Sequence, residues 1–136
     1  MIRGEQVEHK ERGAVAVEMA LLLPVLILLL LGIMEFGRVY NAQVTLTNAA
    51  REGVRVMAIT NVRADAQTAA TNAASTLRIT STNPTFTFTT SPTATSPAVC
   101  VSGRQVTMTI SYTLDSLTGI AGPFSMTGKG VMQCGG

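Results

Sequence analysis

The chain has 136 residues, of which 46% are hydrophobic and 13% are charged, and its formal net charge is +2. Beyond Glu35 the chain has seven basic and three acidic side chains. This density of basic residues is too low for a nucleic-acid-binding surface. The single histidine, His9, lies in the charged N-terminal tail, and the two cysteines have no CxxC spacing. We therefore expect no catalytic triad, no metal site and no cofactor, which argues against an enzyme.

The charged tail, residues 1–13, precedes an apolar run at residues 14–34 whose only ionisable side chain is Glu18. A helix needs about 20 apolar residues to cross the hydrocarbon core of a bilayer. The run is longer than the apolar region of a secretory signal, and no Ala-x-Ala cleavage site follows it. We predict a retained transmembrane helix that is kinked at Pro24. Three basic residues in the N-terminal flank favour a cytoplasmic N-terminus and an extracytoplasmic C-terminal domain.

Glu18 is the candidate functional residue of this helix. An ionisable side chain costs roughly 2.5–3.5 kcal/mol at the centre of a membrane helix and less near its edge. Such a residue either extends to the lipid headgroups of an ordinary anchor or pairs with a charge on another chain.

Helical spacing continues through residues 35–59 and predicts that the helix extends beyond the membrane. Charged groups lie at helical spacing in this part, Glu35 with Arg38, and Arg51 with Glu52 and Arg55. They predict solvated or interfacial salt bridges, or contacts with a partner helix. The predicted apolar face comprises Phe36, Tyr40, Val44, Thr47, Ala50, Val54, Met57 and Ala58.

Residues 60–136 predict a small extracytoplasmic α+β domain. Thr60 and Asn61 interrupt the first helix, and an alanine-rich pattern predicts a second helix over residues 62–77, with an inner face of Val62, Ala66, Ala69, Ala70, Ala73 and Leu77. Thr, Ser and Pro fill 14 of the 18 positions of a loop region at residues 80–97, which includes a short strand at residues 85–90. Strict alternation predicts a strand at Gln105–Leu114, and a last strand is predicted at Phe124–Gln133 after a loop. We expect a small antiparallel sheet packed on the outer part of the long helix.

The two cysteines, Cys100 and Cys134, are predicted to form a disulfide, with two free thiols as the alternative. In an oxidising compartment they would form one disulfide, and in a reducing one they would remain free thiols.

The spacing of Gly13 and Glu18 resembles that of the prepilins of the type IV filament superfamily, whose leader is cut after such a glycine. Cleavage here would make Ala14 the new N-terminus and Glu18 the fifth residue of the mature chain. Residues 12–55 resemble the TadE-like pilus-assembly proteins of tight-adherence (Flp-type) systems. Two short segments share this resemblance, Glu35-Phe36-Gly37-Arg38 and Arg51-Glu52-Gly53, whereas Met19 stands where prepilins of these systems usually have an aromatic residue.

This resemblance implies a pilin-like fold and a non-catalytic role as a minor pilin or pseudopilin in the assembly of such a pilus or a related secretion system. The implied partners are other pilin-like subunits, the platform membrane proteins, a prepilin peptidase acting on the chain as substrate, and membrane lipid. The implied location is the bacterial cytoplasmic membrane, as a single-pass, pilus-associated protein. The alternative is an uncleaved single-pass protein whose Thr/Ser-rich outer domain binds a surface or a partner protein.

Overall fold

The computed structural model describes residues 5–80, 83–91, 99–119 and 121–135, with side chains from Gly13 onward. The parts of the predicted 80–97 loop at residues 81–82 and 92–97 lie outside this description. Two helices, α1 (Glu5–Thr60) and α2 (Arg63–Ala73), precede three strands, β1 (Thr85–Ser91), β2 (Gln105–Leu114) and β3 (Phe124–Gln133). The α+β prediction is confirmed, and β2 and β3 have the predicted bounds.

The chain divides into two compact units, with the boundary between Gly37 and Arg38. The described part of the first unit is helical throughout and contains Pro24. Its apolar segment has a mean hydropathy of 2.8 over 18 residues, and none of that window is buried inside the structure. In the described residues this is the one helix long and apolar enough to cross a membrane. Its large aliphatic side chains therefore need an apolar environment that the chain itself does not provide.

The second unit is built around a three-stranded antiparallel sheet of order β1-β2-β3. Alternation along β2 turns one set of side chains toward the core, and every member of that set is buried: Val106, Met108, Ile110, Tyr112 and Leu114. The outer part of α1 supplies the opposite side of this core with Ala42, Leu46, Ala49, Ala50, Val54 and Met57. The sheet thus packs on the helix, as the sequence predicted.

The predicted apolar face of α1 is wrong over its first half. Phe36 and Tyr40 are 72% and 66% exposed, and Val44 is exposed as well. The buried positions lie on a different face, which is dominated by alanine. Periodicity identifies an apolar stripe without identifying its partner, and small side chains allow a sheet to approach the helix more closely than aromatic ones do. From Ala50 onward the prediction is confirmed, because Val54 and Met57 are buried.

The second helix is shorter than predicted. It ends at Ala73, where the Ala74 N–H still donates to the Ala70 carbonyl (2.9 Å) but the Leu77 N–H closes a turn onto the Ala74 carbonyl (2.8 Å). Ser75 and Thr76, at the turn, are weak helix formers. Ala66, Ala70 and Ala74 form the buried face, whereas the predicted inner residues Val62 and Ala73 are exposed.

Candidate functional site

The residues predicted to direct processing and assembly all lie on the exposed surface of the first unit. Gly13, Ala14, Glu18, Met19 and Pro24 are exposed within α1, and a Cβ added at Gly13 would meet nothing within 4 Å. Ala14 and Glu18 are four residues apart, so they share one face of the helix. In the part of the chain with described side chains, no basic group pairs with the Glu18 carboxylate. Any charge that compensates Glu18 therefore comes from outside this part of the chain.

The Glu35-Phe36-Gly37-Arg38 segment, the first charged motif, is divided between two faces of α1. Glu35 is only 8% exposed, whereas Phe36, Gly37 and Arg38 are exposed. A Cβ added at Gly37 would meet nothing within 4 Å. The motif therefore presents an aromatic ring, an unobstructed backbone and a guanidinium on the surface, while its carboxylate is buried.

In the second charged motif, Arg51-Glu52-Gly53, one residue packs in the core and two charged residues are exposed. Gly53 is buried, and a Cβ placed there would lie 2.9 Å from Met108 Cε and 3.0 Å from the Ala66 carbonyl oxygen. Arg51 and Glu52 are exposed, and Glu52 lies 4.0 Å from the Arg55 guanidinium in an exposed ion pair. Such surface pairs contribute little to stability. Gly53 is therefore required by the fold, and Arg51 and Glu52 are available to a partner.

Two glycines that the sequence analysis did not single out bring β3 onto the backbone of α1. A Cβ at Gly128 would lie 2.9 Å from Leu46 Cβ, and one at Gly130 would lie 2.6 Å from the Ala50 carbonyl carbon and 2.8 Å from the Arg51 amide nitrogen. Both glycines point inward in an alternating strand. Glycine at two successive inward positions is the sequence signal that indicates such a close approach.

Polar side chains of α1 fasten the sheet to the helix at two further points. Gln43 donates its side-chain N–H to the Thr127 carbonyl of β3 at 2.9 Å. Asn61 ends the helix with a positive φ of 55°, and its side-chain oxygen accepts the Cys100 N–H at 2.7 Å. The sequence predicted the helix end at Asn61 but gave no sign of its link to Cys100.

The predicted disulfide is present. Cys100 and Cys134 are bonded with a Cα–Cα distance of 5.4 Å, and the Cys134 N–H donates to the Arg104 carbonyl at 2.7 Å. Together with Asn61, the bridge ties the end of the sheet to the end of α1. Among the described residues, no three His, Cys, Asp or Glu side chains are grouped so as to hold a metal ion. That the protein works without a cofactor remains a prediction.

Comparison with known protein families finds a match on the long helix α1. Residues 13–55 match the TadE-like protein family. The match covers about a third of the chain, beginning at Gly13 and ending at Arg55. No curated protein and no solved structure shows significant similarity to the chain.

The TadE-like segment contains Glu18, both charged motifs and the helical side of the core, whereas α2 and all three strands lie beyond it. The suspected family resemblance is confirmed over this segment.

Proposed function

We propose that the protein is a minor pilin or pseudopilin that helps to assemble a tight-adherence pilus, or the related secretion machine, at the cytoplasmic membrane. One observation carries the proposal: the TadE-like match begins at Gly13, five residues before a carboxylate in an apolar helix that no other part of the described chain covers. A helix that only anchored the protein would have no need for an acidic side chain at that position.

The charge of Glu18 suggests how such a subunit would join a filament. Hydrolysis of the Gly13–Ala14 peptide bond would leave an ammonium group on Ala14 at the edge of the membrane. Glu18 of one subunit would then pair with the Ala14 ammonium of its neighbour, and pairing offsets the cost of burying either charge alone. A subunit docked in the wrong axial position would leave both charges unpaired in hydrocarbon. The pair would thereby fix the register of assembly.

The proposed location and partners follow from the same segment. The N-terminus would face the cytoplasm, where a prepilin peptidase cuts the chain and platform membrane proteins receive it, and the sheet would lie outside. The Cys100–Cys134 disulfide supports the external location, because disulfides persist in oxidising compartments. The role would be non-catalytic, with contacts to lipid and to other pilin-like subunits made by the exposed apolar face of α1.

N-terminal sequencing of the chain purified from host membranes tests processing directly. We expect the mature chain to begin at Ala14. A Gly13→Val variant should begin at Met1, because a peptidase specific for glycine would no longer accept position 13. The fold should tolerate the valine, since nothing lies within 4 Å of a Cβ added there. A wild-type chain that begins at Met1 would instead support the alternative, an uncleaved single-pass protein whose outer domain binds a surface or partner.

A further inference from the structure

The outward face of the sheet is rich in hydroxyl side chains. Fourteen side chains of the three strands point away from the helix, and ten of them are hydroxyls of Thr or Ser. None is acidic or aromatic, and Lys129 is the one charged member. The ten form what we call the hydroxyl face: Thr85, Thr87, Thr89, Ser91, Thr107, Thr109, Ser111, Thr113, Ser125 and Thr127.

Strand register arranges these hydroxyls in rows across the sheet. Thr85 pairs with Ser111, which pairs in turn with Thr127, so one row carries a hydroxyl on each of the three strands. Adjacent strands are about 4.8 Å apart, and residues two apart along one strand are about 6.7 Å apart. The face is therefore a two-dimensional array of hydroxyl groups at close and regular spacing.

These hydroxyls are not engaged by the protein itself. Within residues 83–91, 99–119 and 121–135, none of the ten side chains donates to or accepts from another described group. Hydroxyls elsewhere differ in this respect, because Thr45, Thr47 and Thr68 each donate to a helix carbonyl at 2.9 Å. The donors and acceptors of the hydroxyl face are thus left for solvent or a ligand.

One end of the face is concave. A depression of about 330 Å³ lies there, lined by Asn83, Thr85, Ser111, Thr113, Ser125 and Thr127 among others. Its rim is held in place because the Asn83 amide donates to the Thr113 carbonyl at 2.8 Å and accepts the Thr113 N–H at 3.1 Å. The size is at the lower end of the range for small-ligand sites.

Charge and polarity argue against two classes of ligand, polyanions and apolar partners. Nucleic acids and other polyanions need several cations on the protein, and the face has only Lys129. An apolar partner would bury many hydroxyls without hydrogen-bond partners, which is strongly unfavourable. A neutral, hydroxyl-rich ligand matches the face in charge and exchanges hydrogen bonds to water for hydrogen bonds to protein, since each Ser or Thr hydroxyl both donates and accepts.

We infer that the hydroxyl face binds a neutral polysaccharide, with the depression at Asn83 holding one sugar unit and the rows of hydroxyls following the chain. Without an aromatic side chain for stacking, binding at a single copy is weak. Several copies displayed together would strengthen it by avidity. This binding does not depend on the proposed role in pilus assembly.

The test uses the full chain in lipid nanodiscs that carry a fluorescent lipid, applied to an array of neutral, sialylated and sulfated oligosaccharides and neutral polysaccharides. Empty nanodiscs give the background. We expect signal above background on neutral glycans. We do not expect binding that is confined to acidic glycans. Absence of signal on every neutral glycan, or binding only to acidic glycans, overturns the proposal.

A matched pair of variants locates the site. The double variant Ser111→Val/Thr127→Val removes two hydroxyls from the depression while keeping strand propensity, because valine is favoured in strands. The control Thr68→Val/Thr76→Val changes two exposed threonines outside the sheet. We expect at least a tenfold loss of glycan signal for the first and less than a twofold change for the second. Equal signals from the two variants, with the disulfide intact in both, overturn the assignment to the hydroxyl face.

Discussion

The side chain of Met108, in the central strand, lies against Gly53 of α1, at a point where the helix has no side chain of its own. A Cβ at position 53 would stand 2.9 Å from Met108 Cε and 3.0 Å from the Ala66 carbonyl oxygen. Gly53 thus lets β2 and α2 approach the same turn of α1. A glycine inside a helix lowers its stability by about 1 kcal/mol relative to alanine, and the closeness of this packing compensates for that loss.

Gly53→Val should destabilise the outer domain by about 1–3 kcal/mol, the usual range for overpacking a core. The matched control is Gly37→Val in the same helix, where an added side chain meets nothing within 4 Å; its effect should stay within about 0.5 kcal/mol. Hydrogen exchange of β2 amides, measured by mass spectrometry on the full chain in detergent micelles, reports both values. Similar losses at the two positions would show that Gly53 is not a packing requirement.

Gly130→Ala should be at least as harmful as Gly53→Val, although the added group is smaller. The obstacle at Gly130 is the helix backbone, with the Ala50 carbonyl carbon at 2.6 Å, and a backbone cannot rotate aside as the end of a methionine can. We expect a loss of about 3 kcal/mol, the upper part of the overpacking range.

Gly122→Ala is the control for Gly130→Ala, because Gly122 has no neighbour within 4 Å of an added Cβ. Urea unfolding of the same micelle samples, monitored by hydrogen exchange in β3, should give this control a free energy of unfolding close to that of the wild type. If Gly130→Ala were equally well tolerated, β3 would not contact the helix backbone as closely as described.

The strands were predictable from the sequence because a period of two is a property of the strand alone. Every inward residue of β2 alternates with Thr or Ser, and both bounds follow from that pattern. The buried face of α1 was not predictable in the same way. That helix has apolar residues on more than one side, and which side is covered depends on the distant glycines at 128 and 130.

The candidate site was predictable to the extent that local spacing determines it. Gly13 and Glu18 are read directly from the sequence, and the family match begins at that glycine. The burial of Glu35 beside the exposed Phe36 required the structure. So did the depression beside Asn83, because its lining comes from all three strands and from the loop before β1.

Asn61 combines two roles that substitutions can separate. Its φ of 55° is tolerated by glycine but costs other residues about 1–2 kcal/mol, and its side chain accepts the Cys100 N–H. Asn61→Gly removes only the hydrogen bond and should cost about 1 kcal/mol. Asn61→Ala adds the backbone strain and should cost about 2–3 kcal/mol. Thermal unfolding of the full chain in micelles orders the two variants, and equal melting temperatures would contradict the backbone role.

The Cys100–Cys134 bridge closes a loop with a sequence separation of 34 residues. On the chain-entropy model such a loop is worth about 3–4 kcal/mol, so Cys100→Ala/Cys134→Ala should lower the free energy of unfolding by that amount. A reducing agent provides the internal control. It should destabilise the wild type to a similar degree and leave the double variant unchanged. A further loss in the reduced double variant would mean that the reagent acts elsewhere than on this disulfide.

Glu18 should be needed for assembly and not for membrane insertion. Glu18→Ala and Glu18→Gln make the apolar helix less costly to insert, so the amount of chain in the membrane should be unchanged or higher. If Glu18 pairs with the Ala14 ammonium of a neighbouring subunit as proposed, both variants remove that pair, and co-purification of a tagged chain with pilin-like subunits should fall at least tenfold. Asp115→Asn, which changes an exposed carboxylate outside the family-matched segment, is the control and should co-purify normally. Normal co-purification of Glu18→Ala would show that Glu18 is not needed for assembly. Its carboxylate would then simply extend to the lipid headgroups, as in an ordinary membrane anchor.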